Sequence, residues 1–297
     1  MKNHRGPSKN VILGLSLPPY RLTCNENSDL AKVWPAHPIF TCPETVTIGK
    51  HKVAAEIEGG DCLTTYWPNP NQGLMELAKH ASEVFNSPIH FLTVYRECYP
   101  TDLIYFLNYV NAFQGTISTI FVQMDRLAGE DLSYFLQNCM ATKRLDLTSG
   151  WLNELPISRV FSIEDLRLRQ ANWFTLEHLL LCDTRRLVLK ASQLTSQDLN
   201  AFVKGWINGE CSRRTEFVSI YMLRDALNHE GLLEGIEVIR RDRNVRRRFY
   251  VKDIGAKTII GGMDIRRKHD GAMATIVRRL YQFKILFWPD WKDNAYH

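Results

Sequence analysis

The chain has 297 residues and a formal net charge of +5, with 45% hydrophobic, 23% charged and 11% aromatic residues, which excludes a disordered or fibrous chain. Its length is enough to bury about three quarters of the unfolded surface, and no apolar stretch approaches the ~20 residues of a membrane-spanning helix, so no membrane partner is expected. The mildly basic pI of 8.8 suits a solvated basic surface as well as an anionic partner.

The first 43 residues hold Pro7, Pro18, Pro19, Pro35, Pro38 and Pro43, a density that leaves little room for helix and predicts an irregular lead-in. Lys2, Arg5 and Lys9 precede Val11-Ile-Leu-Gly-Leu-Ser-Leu, but that run is short and no small-x-small cleavage site follows. From Thr45 to Trp67 the pattern turns to β, with apolar and polar residues alternating across Gly49 and again in Cys62-Leu-Thr-Thr-Tyr-Trp. Pro68 to Gly73 reads as a closing loop. A helix is predicted from Gly73 to Phe85, with Leu74, Leu77, Ala81 and Val84 on its apolar face.

A short apolar-x-apolar signature then recurs at Leu92/Val94, Ile120/Val122, Leu145/Leu147, Leu166/Leu168, Leu187/Leu189 and Val218/Ile220, spaced by 28, 25, 21, 21 and 31 residues. Such spacings lie in or near the leucine-rich-repeat range. Helical patterns fill the gaps, at Thr101 to Phe113 before Gly115 and at Gly129 to Cys139. Strand, helix and strand in one direction predict a parallel sheet with helices on one side. The consensus Asn of regular repeats is missing, so the expected fold class is α/β, a degenerate leucine-rich-repeat-like stack over about 85–225.

The best-signalled element is the helix after Leu194. Thr195 is placed as N-cap with Asp198 three residues on, Leu199, Phe202, Val203, Trp206 and Ile207 form one stripe, and Gly209 is a left-handed stop. Beyond Ile220 a weak helix is read at Glu230 to Val238, then a run of six arginines, Arg240, Arg241, Arg243, Arg246, Arg247 and Arg248. Strand-like runs at Phe249–Val251, Thr258–Ile260, Ala274–Val277 and Phe283–Trp288, separated by turns at Gly255, Gly261-Gly262 and Asp270-Gly271, predict an antiparallel cap over about 226–290.

No enzyme motif is complete. His229-Glu230 lacks the second histidine of a zinc protease helix, because position 233 is Leu, and Gly255-Ala-Lys-Thr lacks the glycines of a phosphate loop. No nucleophile elbow or dinucleotide fingerprint occurs. Seven cysteines (24, 42, 62, 98, 139, 182 and 211) stand singly, which argues against zinc and a disulfide framework. No glycosylation sequon occurs, in keeping with an intracellular chain, cytoplasmic or nuclear. No catalytic residue, metal or cofactor is expected. His178, Trp173 and Trp206 read as packing groups. The arginine run reads first as a solvated basic loop, then as a site for an acidic protein, and last as one for nucleic acid, because no reading module or interleaved aromatics accompany it.

Three segments, in this order, carry a resemblance: Asn172-Trp-x-Thr-Leu-Glu-His-Leu-Leu; Leu194-Thr-x-x-Asp-Leu-Asn-x-Phe-x-Lys-x-Trp-x-x-Gly; and Gly261-Gly-x-Asp-Ile-Arg-Arg with Asp270-Gly-x-x-Ala-Thr-Ile. Together with Thr65-Tyr-Trp, Gly73-Leu and Val84-Phe-Asn-Ser-Pro-Ile, they make the chain resemble the type 2 F-box-associated domain of nematode F-box proteins over roughly 44–290. Lys268-His269 extends a turn that is shorter in that family. The resemblance implies a non-enzymatic domain, 44–297, that holds a protein substrate. In that family the F-box preceding it docks on the adaptor of a cullin-based ubiquitin ligase. Here Leu17-Pro18 only faintly echoes an F-box, so residues 1–43 are expected to lack one, and adaptor binding is expected only if a divergent F-box is present.

The recognition face is expected on the outward positions of the repeated strands, because the flanking apolar residues point to the helices. These are Thr93, Tyr95, Phe121, Gln123, Asp146, Thr148, Arg167, Arg169, Val188, Lys190, Ser219 and Tyr221, together with Arg186 on the strand between the two helices of the 172–209 segment.

Overall fold

The computed structural model describes residues 11–15, 20–24, 30–35, 44–58, 62–95, 98–152, 161–223, 228–251 and 255–288. The fold is mixed α/β, with sixteen strands and six helices among the described residues. Two compact units divide the chain, Met1–Gly150 and Trp151–His297.

The first unit runs β1 (Val11–Leu15), β2 (Tyr20–Cys24), β3 (Leu30–Pro35), β4 (Thr45–Ile48), β5 (His51–Glu58), β6 (Cys62–Trp67), α1 (Pro70–Val84), β7 (Ile89–Val94), α2 (Pro100–Gln114), β8 (Ile117–Gln123), α3 (Gly129–Asn138) and β9 (Ala141–Thr148). Its strands lie in the order β9-β8-β7-β1-β2-β3-β6-β5-β4. The stretch expected to be irregular therefore supplies strands: β1 pairs parallel with β7 and antiparallel with β2, and β3 runs parallel to β6. Proline excludes helix interiors but is tolerated at strand ends, where Pro35 sits.

Helix α1 starts at Pro70, three residues earlier than the apolar pattern suggests. Asn69 caps it by accepting the N–H groups of Asn71 and Gln72, so the presumed loop is the helix's first turn. Val84 is 63% exposed rather than on the buried face. Leu103, Phe106, Leu107 and Val110 of α2 and Leu132, Phe135 and Leu136 of α3 are fully buried, as are Leu92, Val94, Ile120 and Val122 on the strands between them. Strands β7, β8 and β9 are parallel and consecutive, and the helices that connect them, α2 and α3, pack against each other.

The second unit holds β10 (Asp165–Leu168), α4 (Leu176–Leu181), β11 (Arg186–Ser192), α5 (Ser196–Asn208), β12 (Phe217–Met222), α6 (His229–Leu233), β13 (Ile239–Val251), β14 (Gly255–Arg266), β15 (Met273–Arg279) and β16 (Gln282–Phe287). Its order is β13-β14-β15-β16-β12-β11-β10, parallel through β10, β11 and β12 and antiparallel from β12 onward. Helix α5 has the predicted form: Thr195 Oγ1 accepts the Asp198 N–H at 3.1 Å, Asp198 Oδ2 accepts the Thr195 N–H at 2.8 Å, and Gly209 is left-handed at φ 81°.

Counting both units, antiparallel ladders outnumber parallel ones among the described pairings, so the mixed α/β class holds while a leucine-rich-repeat-like parallel stack is not shown. The apolar repeat marks buried strands correctly, and its ladders within β7–β9 and within β10–β12 are parallel; the antiparallel ladders lie among β1–β6 and from β12 onward, outside the repeat. Three further expectations change. The arginine run is strand, not loop, and Gly261-Gly262 lies inside β14 rather than at a turn. The weak helix is only the five residues of α6.

Candidate functional site

In the second unit Leu166, Leu168, Leu187, Leu189, Val218 and Ile220 are at most 1% exposed, which fixes the opposite strand face by alternation. Arg167, Val188, Ser219 and Lys284 lie in register across that face on β10, β11, β12 and β16. One row along stand Arg169, Lys190 and Tyr221, all exposed, with the Lys190 ammonium 5.9 Å from the centre of the Tyr221 ring. The β11–β12 register shifts between Leu189 and Ser192, and Ala191 takes φ 53°, so a bulge presents Lys190.

The other end of this face is closed. Arg167 Nε and Nη2 donate to Asp165 at 3.2 and 2.9 Å, and Arg186 Nη2 donates to the same carboxylate at 3.0 Å. Asp165 and Arg186 are buried, so Arg186 holds the scaffold rather than a partner. Ser219 is also buried and accepts a hydrogen bond from Gln282 Nε2 at 3.0 Å.

The largest departure from expectation is a second core on this outward face. Phe249, Ile259, Met273, Leu286 and Trp288 form a buried cluster, with Phe217 and Val277 packed against it. Phe217, Leu286, Met273 and Val277 share the strand parity of Ser219 and Lys284, so the tip half of the β13–β14 hairpin folds across the sheet and lays Phe249 and Ile259 on it. The bend is at Gly261 and Gly262, with φ of 62° and 103°, opposite a register shift between Arg241 and Arg246.

Asp264, 0% exposed, locks the base of that hairpin. It accepts from Arg241 Nε at 2.6 Å, from Arg247 Nη1 and Nη2 at 3.0 and 2.9 Å, and from Thr275 Oγ1 at 2.6 Å. Thr275 in turn accepts from Trp288 Nε1 at 2.9 Å, and the Arg247 guanidinium lies 5.2 Å from the Trp288 ring centre. Burial pushes the Asp264 carboxyl pKa up, but the hydrogen bonds of Arg247, Thr275 and Arg241 and the charge of Arg247 outweigh it and hold it below the ordinary value.

The arginine run is thereby divided. Arg247 is buried and Arg241 is half-buried, both on Asp264, while Arg240, Arg243, Arg246 and Arg248 are exposed. Arg246 and Arg248 share the outer strand face with Tyr250, 70% exposed. The six do not make one basic patch.

In the first unit Thr93, Phe121 and Asp146 lie in register, and the Tyr95 and Phe121 rings are 6.4 Å apart. Tyr95 is exposed, Thr93, Phe121, Gln123 and Thr148 are half-buried, and Asp146 is buried. His178 is a packing group: its Nδ1 accepts the Thr175 N–H at 3.0 Å, and its ring lies 5.7 Å from Trp173 and 5.4 Å from Phe174. Cys98, Cys139, Cys182 and Cys211 are buried free thiols. No cluster of three or more metal-ligating side chains occurs among the described residues, and no helix among them is long and apolar enough to cross a membrane.

Residues 158–220 match the family model described as F-box associated. That stretch contains β10, α4, β11 and α5 and most of β12, and it bears out the resemblance seen in the sequence. An uncharacterized protein of Caenorhabditis elegans is 25% identical over 219 residues, which are 71% of this chain and 49% of that protein. The E3 ubiquitin-protein ligase hecw-1 of the same nematode is 29% identical over 129 residues, 43% of this chain and 10% of the ligase. The chain thus spans about half the length of the first relative and a tenth of the second. No solved structure matches.

Proposed function

We propose that this chain is a non-enzymatic protein-binding module, intracellular, that holds a protein partner on the open strand face of its second unit. The observation that carries this reading is the exposed row Arg169, Lys190 and Tyr221, raised by a bulge; the first two lie within the F-box associated segment and Tyr221 just beyond it. Tyrosine is a frequent interface anchor, because its rigid ring offers a large contact area, and here the ring also holds the Lys190 ammonium over its face. The exposed Tyr95 beside Phe121 is the corresponding feature of the first unit.

Service as the substrate receptor of a cullin-based ubiquitin ligase is the wider role this reading allows, and it requires adaptor binding. The test is affinity capture from native extract with the wild-type chain, the Lys190→Glu/Tyr221→Ala variant and the Tyr95→Ala/Phe121→Ala variant. Loss of one captured protein in the first variant is expected. Undiminished capture by both variants refutes the strand-face assignment, and absence of the adaptor from every capture refutes the ligase role. The nucleic-acid reading of the arginine run is disfavoured, because two of its six guanidinium groups are committed to Asp264.

A further inference from the structure

Where the folded-back hairpin stops short of closing on the sheet, it leaves a groove of about 450 Å³. One wall is Lys257, Thr258, Ile259 and Ile260 of β14. Opposite lie Val277, Arg278 and Arg279 of β15 and Lys284 and Leu286 of β16, with Phe217 of β12 completing the apolar floor. Four cations and no carboxylate line this space among the described residues. None of Lys257, Arg278, Arg279 and Lys284 takes part in an ion pair there, although Arg185, Arg214, Arg241 and Arg267 of the same unit each have an acidic partner. Like charges converge on Lys284: burial lowers its pKa, and Arg279 and Lys257 lower it further.

The backbone points the same way. The β14–β15 ladder covers Met263–Arg266 against Met273–Ile276, while Lys257–Ile260 pair only with β13. Beyond the Gly261-Gly262 bend the two strands splay apart, and each leaves one edge outside any ladder along the groove. Uncompensated cations cost stability through mutual repulsion, and open strand edges are templates for another strand. Both features are relieved by a single occupant, an extended segment with acidic side chains.

We infer that this groove binds an extended Asp/Glu-rich peptide segment of the partner protein, its carboxylates on Lys257, Arg279 and Lys284 and its apolar side chains on Phe217 and Val277. The inference rests on the protein-binding reading above and gives the partner's chemistry. The sequence did not disclose the site, because Lys257, Arg279 and Lys284 lie apart in the chain and meet only through the bend at Gly261-Gly262. The conspicuous arginine run lies on the other strand of the hairpin.

The test uses the full chain and a fluorescein-labelled peptide of alternating glutamate and valine, followed by fluorescence anisotropy. Saturable binding is expected. About tenfold weaker binding is expected for the same peptide with glutamine in place of glutamate, and for the protein variants Lys257→Glu/Lys284→Glu and Lys257→Gln/Lys284→Gln. Thermal unfolding curves matching wild type establish that the variants are folded, and the glutamine pair serves if the glutamate pair is not. Failure of wild type to bind the glutamate peptide, or equal binding by the folded variants, overturns the groove assignment. So does tighter binding of a single-stranded oligonucleotide that is lost in the same variants. If extract capture still retains a protein that depends on Lys190 and Tyr221, the groove alone has failed; if it retains none, the protein-binding reading has failed with it.

Discussion

Asp264 is the residue on which the second unit's outer core turns. Its carboxylate pairs with both the buried Arg247 and the half-buried Arg241, so Asp264→Ala leaves a buried guanidinium uncompensated and costs about 3–5 kcal/mol in chemical denaturation. Its folded pKa lies below the ordinary value of 3.8. The stabilisation is therefore complete above the unfolded pKa, and it is lost as pH falls through the lowered folded value. The stability difference between wild type and Asp264→Asn is expected to be constant from neutral pH down to about pH 5 and to shrink below about pH 4. A difference independent of pH down to strong acid contradicts the ion-pair account. Among the thiols, burial pushes Cys182 up to about 12 and Cys211 up to about 11. Both are expected to resist iodoacetamide in the native chain at pH 8 and to react once it is denatured, as alkylation mapping by mass spectrometry reads directly.

The hairpin β13–β14 depends on two glycines at its bend. Alanine at position 262 must adopt φ 103° and brings a Cβ to 2.6 Å from Thr275 Cγ2. Gly262→Ala is expected to cost about 1–3 kcal/mol and to expose Phe249 and Trp288, seen as a red shift of tryptophan emission. By contrast, Thr195→Ala at the cap of α5 removes one hydroxyl that accepts the Asp198 N–H, and it is expected to cost about 1 kcal/mol without a spectral change. These two elements differ in how much the sequence reveals. Helix α5 is local: cap, stripe and stop lie within fifteen residues and match the structure end for end. The bend in β14 is not local, since two glycines between strand-like runs signal a turn unless the partner strand is known to carry a register shift. Likewise Leu166/Leu168 and its counterparts reveal buried strands, while β1–β3 escaped notice because proline density signals only that helix is excluded. The site residues fared similarly. Alternation located Lys190 and Tyr221, but Ser219 and Arg186 have the same parity and are buried with the sequence-distant partners Gln282 and Asp165.

At the scale of the whole chain, the outward strand face of the second unit is divided by the hairpin into a covered part, a cationic groove and an open row. Arg169 and Lys190 of that row lie within the stretch that matches the F-box associated family, and Tyr221 lies one residue beyond it. Recognition of a protein on this face is the central claim, and site-specific photo-crosslinking in native extract addresses it most directly. A photoreactive benzoylphenylalanine is placed at Tyr221, which is 39% exposed on the strand face, or at Leu181, which is 44% exposed on α4. A discrete protein adduct from position 221, absent from position 181, is the predicted result. Adducts from position 181 with none from position 221 contradict the account.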